Sequence, residues 1–253
     1  MFLLKRIRRR SVRSREFPSS WQILLHDKVP HYRMLPLDDR ARLHGHIQVF
    51  LAEKQFEGAL GLTVTDEMRL TVAAQACLLI LRRGGDYFPQ LSSIIIYPGE
   101  FVARRHDVDE GGVVTVGEEL RSGESWEGGS LVLSWEDVLA AGRPGEDDYN
   151  VVIHEFAHQL DAEEGITALL ESGRNSSSFG TALLQAYEGL CADLESGRET
   201  VFDPYGAESV PEFFAVASEC FFSLPGIIRE YHPDLYAHLQ AYYRLDPSAW
   251  QTV

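Results

Sequence analysis

Cysteine is scarce in this chain, which holds three among its 253 residues. They are Cys77, Cys191 and Cys220, which lie far apart and form no CxxC pair. A small, odd number without paired spacing excludes a disulfide framework and a cysteine zinc ribbon. The scarcity is typical of proteins in a reducing compartment, and it predicts a cytoplasmic location.

Long hydrophobic runs are also missing. Among the longest is residues 76–81, which falls far short of the roughly 20 residues needed to cross a bilayer. The N-terminus carries Lys5 and Arg6 where a secretory signal needs its apolar segment. The sequence therefore predicts neither a membrane span nor export.

Basic residues are few, with 23 Lys and Arg against 38 Asp and Glu, and the net charge is −15. Residues 1–20 hold seven of the basic groups and one acid, so the remainder carries a net charge of −21. We expect residues 1–20 to form a basic, disordered tail and residues 21–253 to form a single domain. Because the rest of the chain is so acidic, it repels polyanions, and no nucleic-acid partner is expected. The less favoured alternative is that residues 1–20 bind nucleic acid.

The apolar pattern predicts an α+β fold. Helical spacing follows Asp38 and the N-cap residue Thr65 in the first third of the chain. Short β-rich runs between Gly-rich or Pro-containing turns predict a small sheet in the middle, and helices return after Tyr149. The predicted strands are 94–97, 113–116 and 131–135, and the later helices are about 150–162, 180–196, 211–223 and 233–243.

The pattern HExxH lies on one of these predicted helices. At about 100° per residue, His154 and His158 project from one face about one turn apart, where both imidazoles can bind one metal ion. Glu155 points about 100° away, so it is placed to act as a general base on water. This spacing predicts a catalytic zinc site; two hydrogen-bonded core histidines are the alternative.

A catalytic zinc needs a third protein ligand and an open position. The extended pattern HExxHxxGxxH would place that ligand at Glu164, but Asp161 stands where the pattern requires glycine. A later helix offers Glu212 and Glu219, two turns apart on one face. Glu212 also fits a capping box with Ser209, yet the ligand role is favoured for it.

Further motifs accompany HExxH. They are Ile96-Tyr97-Pro98, Ser122-Gly123-x-Ser125-Trp126, Val132-Leu133-Ser134-Trp135, Tyr149-Asn150 and Glu212-x-Phe214-Ala215-Val216-x-Ser218-Glu219-x-Phe221-Phe222. With these motifs, most of the chain resembles the Mlc titration factor A family of zinc-dependent peptidases, which is of the gluzincin type. The resemblance implies a zincin-like metallopeptidase domain with a small central mixed sheet and an HExxH active-site helix.

The resemblance also implies roles for individual residues. One zinc ion per chain would be held by His154, His158 and Glu212, with Glu155 as general base. Tyr205 matches a tyrosine position in the family and is placed to donate to the developing oxyanion, although a packed surface tyrosine is the alternative.

Two more acids and one strand complete the expectations for the site. Asp161 and Glu219 are expected to orient the histidine rings as hydrogen-bond acceptors, or to be helix-surface charges. Similarity to the zincins suggests that the run 130–135 is the edge strand along which a peptide substrate lies. The other seven histidines are interpreted as non-ligands.

The sequence thus predicts a zinc metallopeptidase that acts on a peptide or protein substrate. The resemblance implies aminopeptidase-like activity on small substrates and a transcription-regulator partner, the repressor Mlc of enteric bacteria. The rival interpretation is a zinc-containing binding protein that sequesters a transcription regulator.

Overall fold

A computed structural model describes residues 2–84, 86–108, 114–126, 128–141, 149–171 and 177–250. Most of them are helical, and a small mixed sheet lies in the middle of the chain, as predicted. Two short 3-10 helices, Pro204–Ala207 and Pro247–Ala249, follow the later helices. The α-helices are α1 (Phe2–Arg13), α2 (Ser19–Lys28), α3 (Pro30–Met34), α4 (Leu37–Glu53), α5 (Asp66–Leu79), α6 (Trp135–Ala140), α7 (Val151–Glu164), α8 (Ile166–Glu171), α9 (Ser178–Glu195), α10 (Val210–Ser223), α11 (Pro225–Tyr231) and α12 (Pro233–Tyr243).

The larger sheet has four strands in the order β1-β2-β6-β5. Strands β1, β2 and β6 run parallel, and β5 pairs antiparallel with β6. A separate antiparallel pair joins β3 to β4. The strands are β1 (Gln55–Gly58), β2 (Ser93–Tyr97), β3 (Phe101–Val108), β4 (Val114–Arg121), β5 (Gly123–Trp126) and β6 (Ser130–Ser134). The first residue of the predicted strand 113–116 lies outside the described residues.

The edge of this sheet differs from the prediction. The run 130–135 was expected to be the edge strand, but β6 lies between β2 and β5. Its side chains Leu131, Val132 and Leu133 are fully buried, as expected for an interior strand. The strand at the edge is β5. Strand β6 ends at Ser134, one residue before the end of the predicted run, because the side chain of Ser134 caps helix α6 by accepting from the backbone N–H of Asp137.

The basic N-terminus also differs from the prediction, because residues 2–13 form helix α1 rather than a disordered tail. Arg9 makes two hydrogen bonds of 2.7 Å to the carboxylate of Glu53 on α4, and it also contacts Asp86. Arg13 donates to the hydroxyl of Tyr87 at 2.9 Å, and Val12 is buried. Acidic partners on the body therefore hold the basic segment in place.

Helices α5, α7 and α10 surround the functional region. Asn150 and Ser209 cap α7 and α10, with their side chains accepting from the backbone N–H groups of Ile153 and Glu212. Helix α7 is buried on nearly every face, and Phe156 packs against Phe50 and Phe88 in the core. Such packing fixes the position of polar side chains on α7.

Among the helices in the ranges above, no single one is long and apolar enough to cross a bilayer. Helices α10 and α11 together have the length and apolar composition of a span, but the chain bends by 115° between them.

Candidate metal centre

Three of the predicted site residues meet at one point. His158 Nε2 lies 3.1 Å from His154 Nε2, and Glu212 Oε2 lies 3.0 Å and 3.1 Å from these two nitrogens. His154 and His158 come from successive turns of α7, and Glu212 comes from the first turn of α10. Among the described residues, this is the group of His, Cys, Asp and Glu side chains whose arrangement suits a metal ion.

The donor set and its spacing fit zinc. Two imidazole nitrogens and one carboxylate oxygen match the ligands of catalytic zinc sites, which keep a fourth position open. Tetrahedral bonds of about 2.0–2.2 Å would separate the ligand atoms by about 3.3 Å, close to the observed separations. The cluster therefore has room for one ion among the three atoms.

Glu219 orients the first imidazole from behind. Its Oε1 lies 2.6 Å from His154 Nδ1, and its Oε2 accepts from the backbone N–H of Asn150 at 2.5 Å. Because an ionised carboxylate can only accept, Nδ1 of the imidazole carries a proton toward Glu219, and Nε2 is left facing the cluster, where it could bind a metal ion. This confirms the orienting role predicted for Glu219.

Asn150 connects this arrangement to the core. Its side-chain Nδ2 donates to Gln75 on α5 at 2.6 Å, while its Oδ1 accepts from Ile153 at 3.0 Å. Asn150 and Gln75 are both buried. The residue thus fixes the start of α7 relative to both α5 and the carboxylate of Glu219.

Glu155 lies beside the three clustered side chains and is 7% exposed. Burial raises the pKa of its carboxyl, while the neighbouring His154 and His158 lower it. A carboxylate of raised basicity next to an open metal position suits a general base. Gly123 of β5 makes room for it, because a Cβ at residue 123 would stand 2.6 Å from Glu155 Cγ.

Tyr205 faces the same cleft from the 3-10 helix. Its ring centroid lies 5.9 Å from that of His154, and its side chain is 44% exposed. Asp203 fixes the backbone here by accepting from the N–H of Tyr205 at 2.7 Å. A pocket of about 590 Å³ brings Tyr205 together with the clustered ligands and Glu155.

A sequence profile described as "Glucose-regulated metallo-peptidase M90" matches residues 4–244. The chain belongs to this M90 metallo-peptidase family. Relatives include "Uncharacterized protein slr2042" of Synechocystis sp., which is 38% identical over 244 residues, 95% of this chain and 89% of the relative. Proteins named "Mlc titration factor A" are 31% identical in Pectobacterium atrosepticum, over 91% of this chain and 89% of the relative, and 33% identical in Serratia proteamaculans, over 85% and 84%. The predicted family is confirmed.

Two other acids that were considered for the site, Glu164 as a ligand and Asp161 as an acceptor for a histidine ring, have other partners. Glu164 pairs with Arg83 at the end of α7, away from the cluster. Asp161 does not orient a histidine; it accepts from both the backbone N–H and the hydroxyl of Thr167. Asp161 therefore fixes the turn into α8, and its expected role at the histidines is wrong.

Gly123 and Tyr149 also line the larger cleft, although no role was predicted for either of them from the sequence. Both belong to motifs that carry the family resemblance, but their position against the site depends on contacts distant in the chain. The ring of Tyr149 lies 6.0 Å from that of His154. The signal that could have found them is their occurrence in short motifs outside any helix pattern.

Charge within the cluster is balanced by protons. Burial lowers the pKa of His154, but hydrogen bonds with Glu212 and Glu219 outweigh it and raise the pKa to about 10. Burial raises the pKa of Glu212, but hydrogen bonds from His154 and His158 outweigh it and lower the pKa to about 2. A bound cation would displace the imidazole proton and would interact with the groups that this proton contacts.

Proposed function

We propose that this M90 chain is a cytoplasmic, zinc-dependent metallopeptidase that hydrolyses peptide bonds. The observation that carries the proposal is the triangle of His154, His158 and Glu212 ligand atoms with Glu155 beside it. Bound among these atoms, zinc supplies Lewis-acid polarisation of the scissile carbonyl and of the attacking water.

The remaining chemistry is assigned to side chains of the chain itself. The carboxylate of Glu155 takes the proton from the attacking water and returns it to the leaving amine. The hydroxyl of Tyr205 donates to the oxygen of the carbonyl as negative charge develops there. Strand β5 lies at the edge of the sheet and lines the cleft, so an extended peptide can add to it through main-chain hydrogen bonds.

Metal content and turnover, measured on the same preparations, test this proposal. We expect about one zinc per chain in the wild type and in Glu155→Gln, and none in His154→Ala. Only the wild type should cleave a panel of aminoacyl substrates and internally quenched peptides. Tyr205→Phe should keep its zinc and lose roughly 10- to 1,000-fold in kcat. Absence of zinc from the wild type would refute the site.

A second candidate function follows from the name of two of these relatives, which are called Mlc titration factor A. The chain would then bind and sequester a transcription regulator, with any peptidase activity secondary. Glu155→Gln distinguishes the two functions, because a sequestering protein keeps its function when the general base is lost. Zinc without cleavage of any peptide would favour this candidate.

A further inference from the structure

A second pocket, of about 300 Å³, adjoins the metal centre. It shares His154, Tyr149 and Tyr205 with the larger cleft, so the two spaces meet at the first metal ligand. Glu155 and His158 line only the larger cleft. The smaller space is at the lower limit for a ligand pocket, which suits one side chain of a substrate rather than a whole ligand.

The smaller pocket is lined by polar and apolar side chains in similar measure, and its buried apolar side chains come from two segments. Segment 200–205 provides Val201 and Phe202, and helix α10 provides Val216 and Cys220. Phe202, Val216 and Cys220 are at most 4% exposed, so they form a buried floor. Contact with this floor removes apolar substrate surface from water, which favours binding.

The two acids in the pocket accept hydrogen bonds from the protein itself. Both oxygens of Glu219 accept hydrogen bonds, from His154 Nδ1 and from the N–H of Asn150. Asp203 is exposed, and its Oδ1 accepts from the N–H of Tyr205. At Glu219, a basic substrate side chain would therefore compete with hydrogen bonds that hold the site together.

Local contacts fix the segment that forms the wall. The hydroxyl of Thr200 donates to the carbonyl of Phe202 at 2.8 Å, and the ring of Phe202 packs against those of Phe213 and His232. Residue 206 is a buried glycine whose added Cβ would meet Val216 at 3.4 Å, so the 3-10 helix lies close to α10. The pocket is thus preformed rather than created by a substrate.

We infer that this pocket, walled by Val201, Phe202 and Val216, binds an uncharged aliphatic or aromatic side chain next to the scissile bond. The inference rests on the proposed peptidase function and adds a substrate class to it. A hydrophobic pocket gains roughly 10-fold or more in kcat/KM for each well-placed methylene group. Leu, Met and Phe should therefore exceed Ala, Asp and Lys by at least about tenfold at one position of the peptide.

The test uses zinc-loaded full-length protein and peptides that vary in one residue on either side of the cleaved bond. Val201→Trp fills the pocket from a half-buried segment, and it should remove the preference, so that the Leu, Met and Phe peptides are cleaved no faster than the Ala peptide. Ile23→Trp, at an exposed position on α2, is the matched control. Val216→Ala enlarges the pocket and should shift the preference toward larger side chains, which keeps the test valid if Val201→Trp does not fold.

Equal cleavage of the Ala, Asp, Lys and Leu peptides by the wild type would overturn the inference, as would an unchanged preference in folded Val201→Trp. Calorimetric binding of the same peptides to Glu155→Gln separates the pocket from the chemistry. If no peptide is cleaved, the peptidase proposal fails. Tighter binding of Leu and Phe peptides that Val201→Trp abolishes would still support the pocket, and equal binding of all peptides would refute it.

Discussion

The backbone of Gly123 lies against the carboxylate of Glu155. A methyl group at residue 123 would stand 2.6 Å from both Cγ and Oε1 of Glu155. Such a contact cannot exist, so the glutamate side chain would have to move. The edge strand β5 therefore allows the position of the proposed general base, because glycine at residue 123 has no side chain.

Gly123→Ala should lose at least about 100-fold in peptide turnover, the lower range of a general base, while keeping its zinc. The flexible Glu155 side chain can move away, so the fold should survive. Gly189→Ala is the control, because a Cβ there meets nothing within 4 Å and lies on α9. Kinetics with metal analysis check the prediction, and full activity of Gly123→Ala would contradict it.

Glu219→Gln should weaken zinc binding by about 10- to 100-fold, the usual effect of losing the partner of a ligating histidine. The amide offers one oxygen acceptor, whereas His154 Nδ1 and the N–H of Asn150 both donate to Glu219. One donor would then face an NH₂ group. Competition with a chelator measures the affinity, and Glu208→Gln, at an exposed position, is the control. Equal zinc affinity in the two variants would show that Glu219 does not support the metal.

Arg9→Ala should destabilise the fold by about 1–2 kcal/mol, because it removes a bidentate, partly buried pair with Glu53. Arg6→Ala, at an exposed position on the same helix, should stay within about 0.5 kcal/mol of wild type. Urea unfolding gives both values. If the two variants have the same stability, α1 contributes nothing to the fold and the predicted disordered tail describes its behaviour better.

His31 and His46 should each make the fold less stable as the pH is lowered from about 6.5 toward 5. Burial lowers the pKa of His31 and of His46 to about 4. Their unfolded forms take up protons near pH 6.5, so between these values unfolding binds protons and becomes easier as the pH falls. Each histidine contributes about 1.4 kcal/mol per pH unit, and above pH 6.5 this dependence is absent.

Urea unfolding from pH 7.5 to 5 measures this slope. His31→Gln should reduce the slope of the unfolding free energy against pH by about the contribution of one histidine. His26→Gln, at an exposed position, should leave that slope unchanged. A slope that is the same in wild type and His31→Gln would contradict the assignment of a neutral, buried His31.

Local patterns predicted the parts of the site that depend on one helix. The spacing of His154 and His158 places both rings on one face, and Glu212 follows a recognisable cap and lies in an apolar segment. The contact between Gly123 and Glu155 was not predictable in this way, since it depends on how β5 packs against α7.

Two predictions about the rest of the fold were wrong for a related reason. The basic segment was expected to be disordered from its charge pattern, which does not show that Glu53 and Asp86, distant in sequence, are its partners. The run 130–135 was expected at the sheet edge from similarity to the zincins, and chain order does not reveal that β5 pairs outside β6. Both depend on long-range partners rather than on local propensity.

Asn150 has a consequence for the order of folding and metal loading. Its hydrogen bonds join Gln75, Ile153 and Glu219, so three helices hold the first imidazole in place through protein contacts alone. The metal-binding site is thus formed by the same contacts that form the core. Removal of the metal with a chelator should abolish the proposed peptidase activity without unfolding the protein. Readdition of the metal should restore that activity without a folding delay.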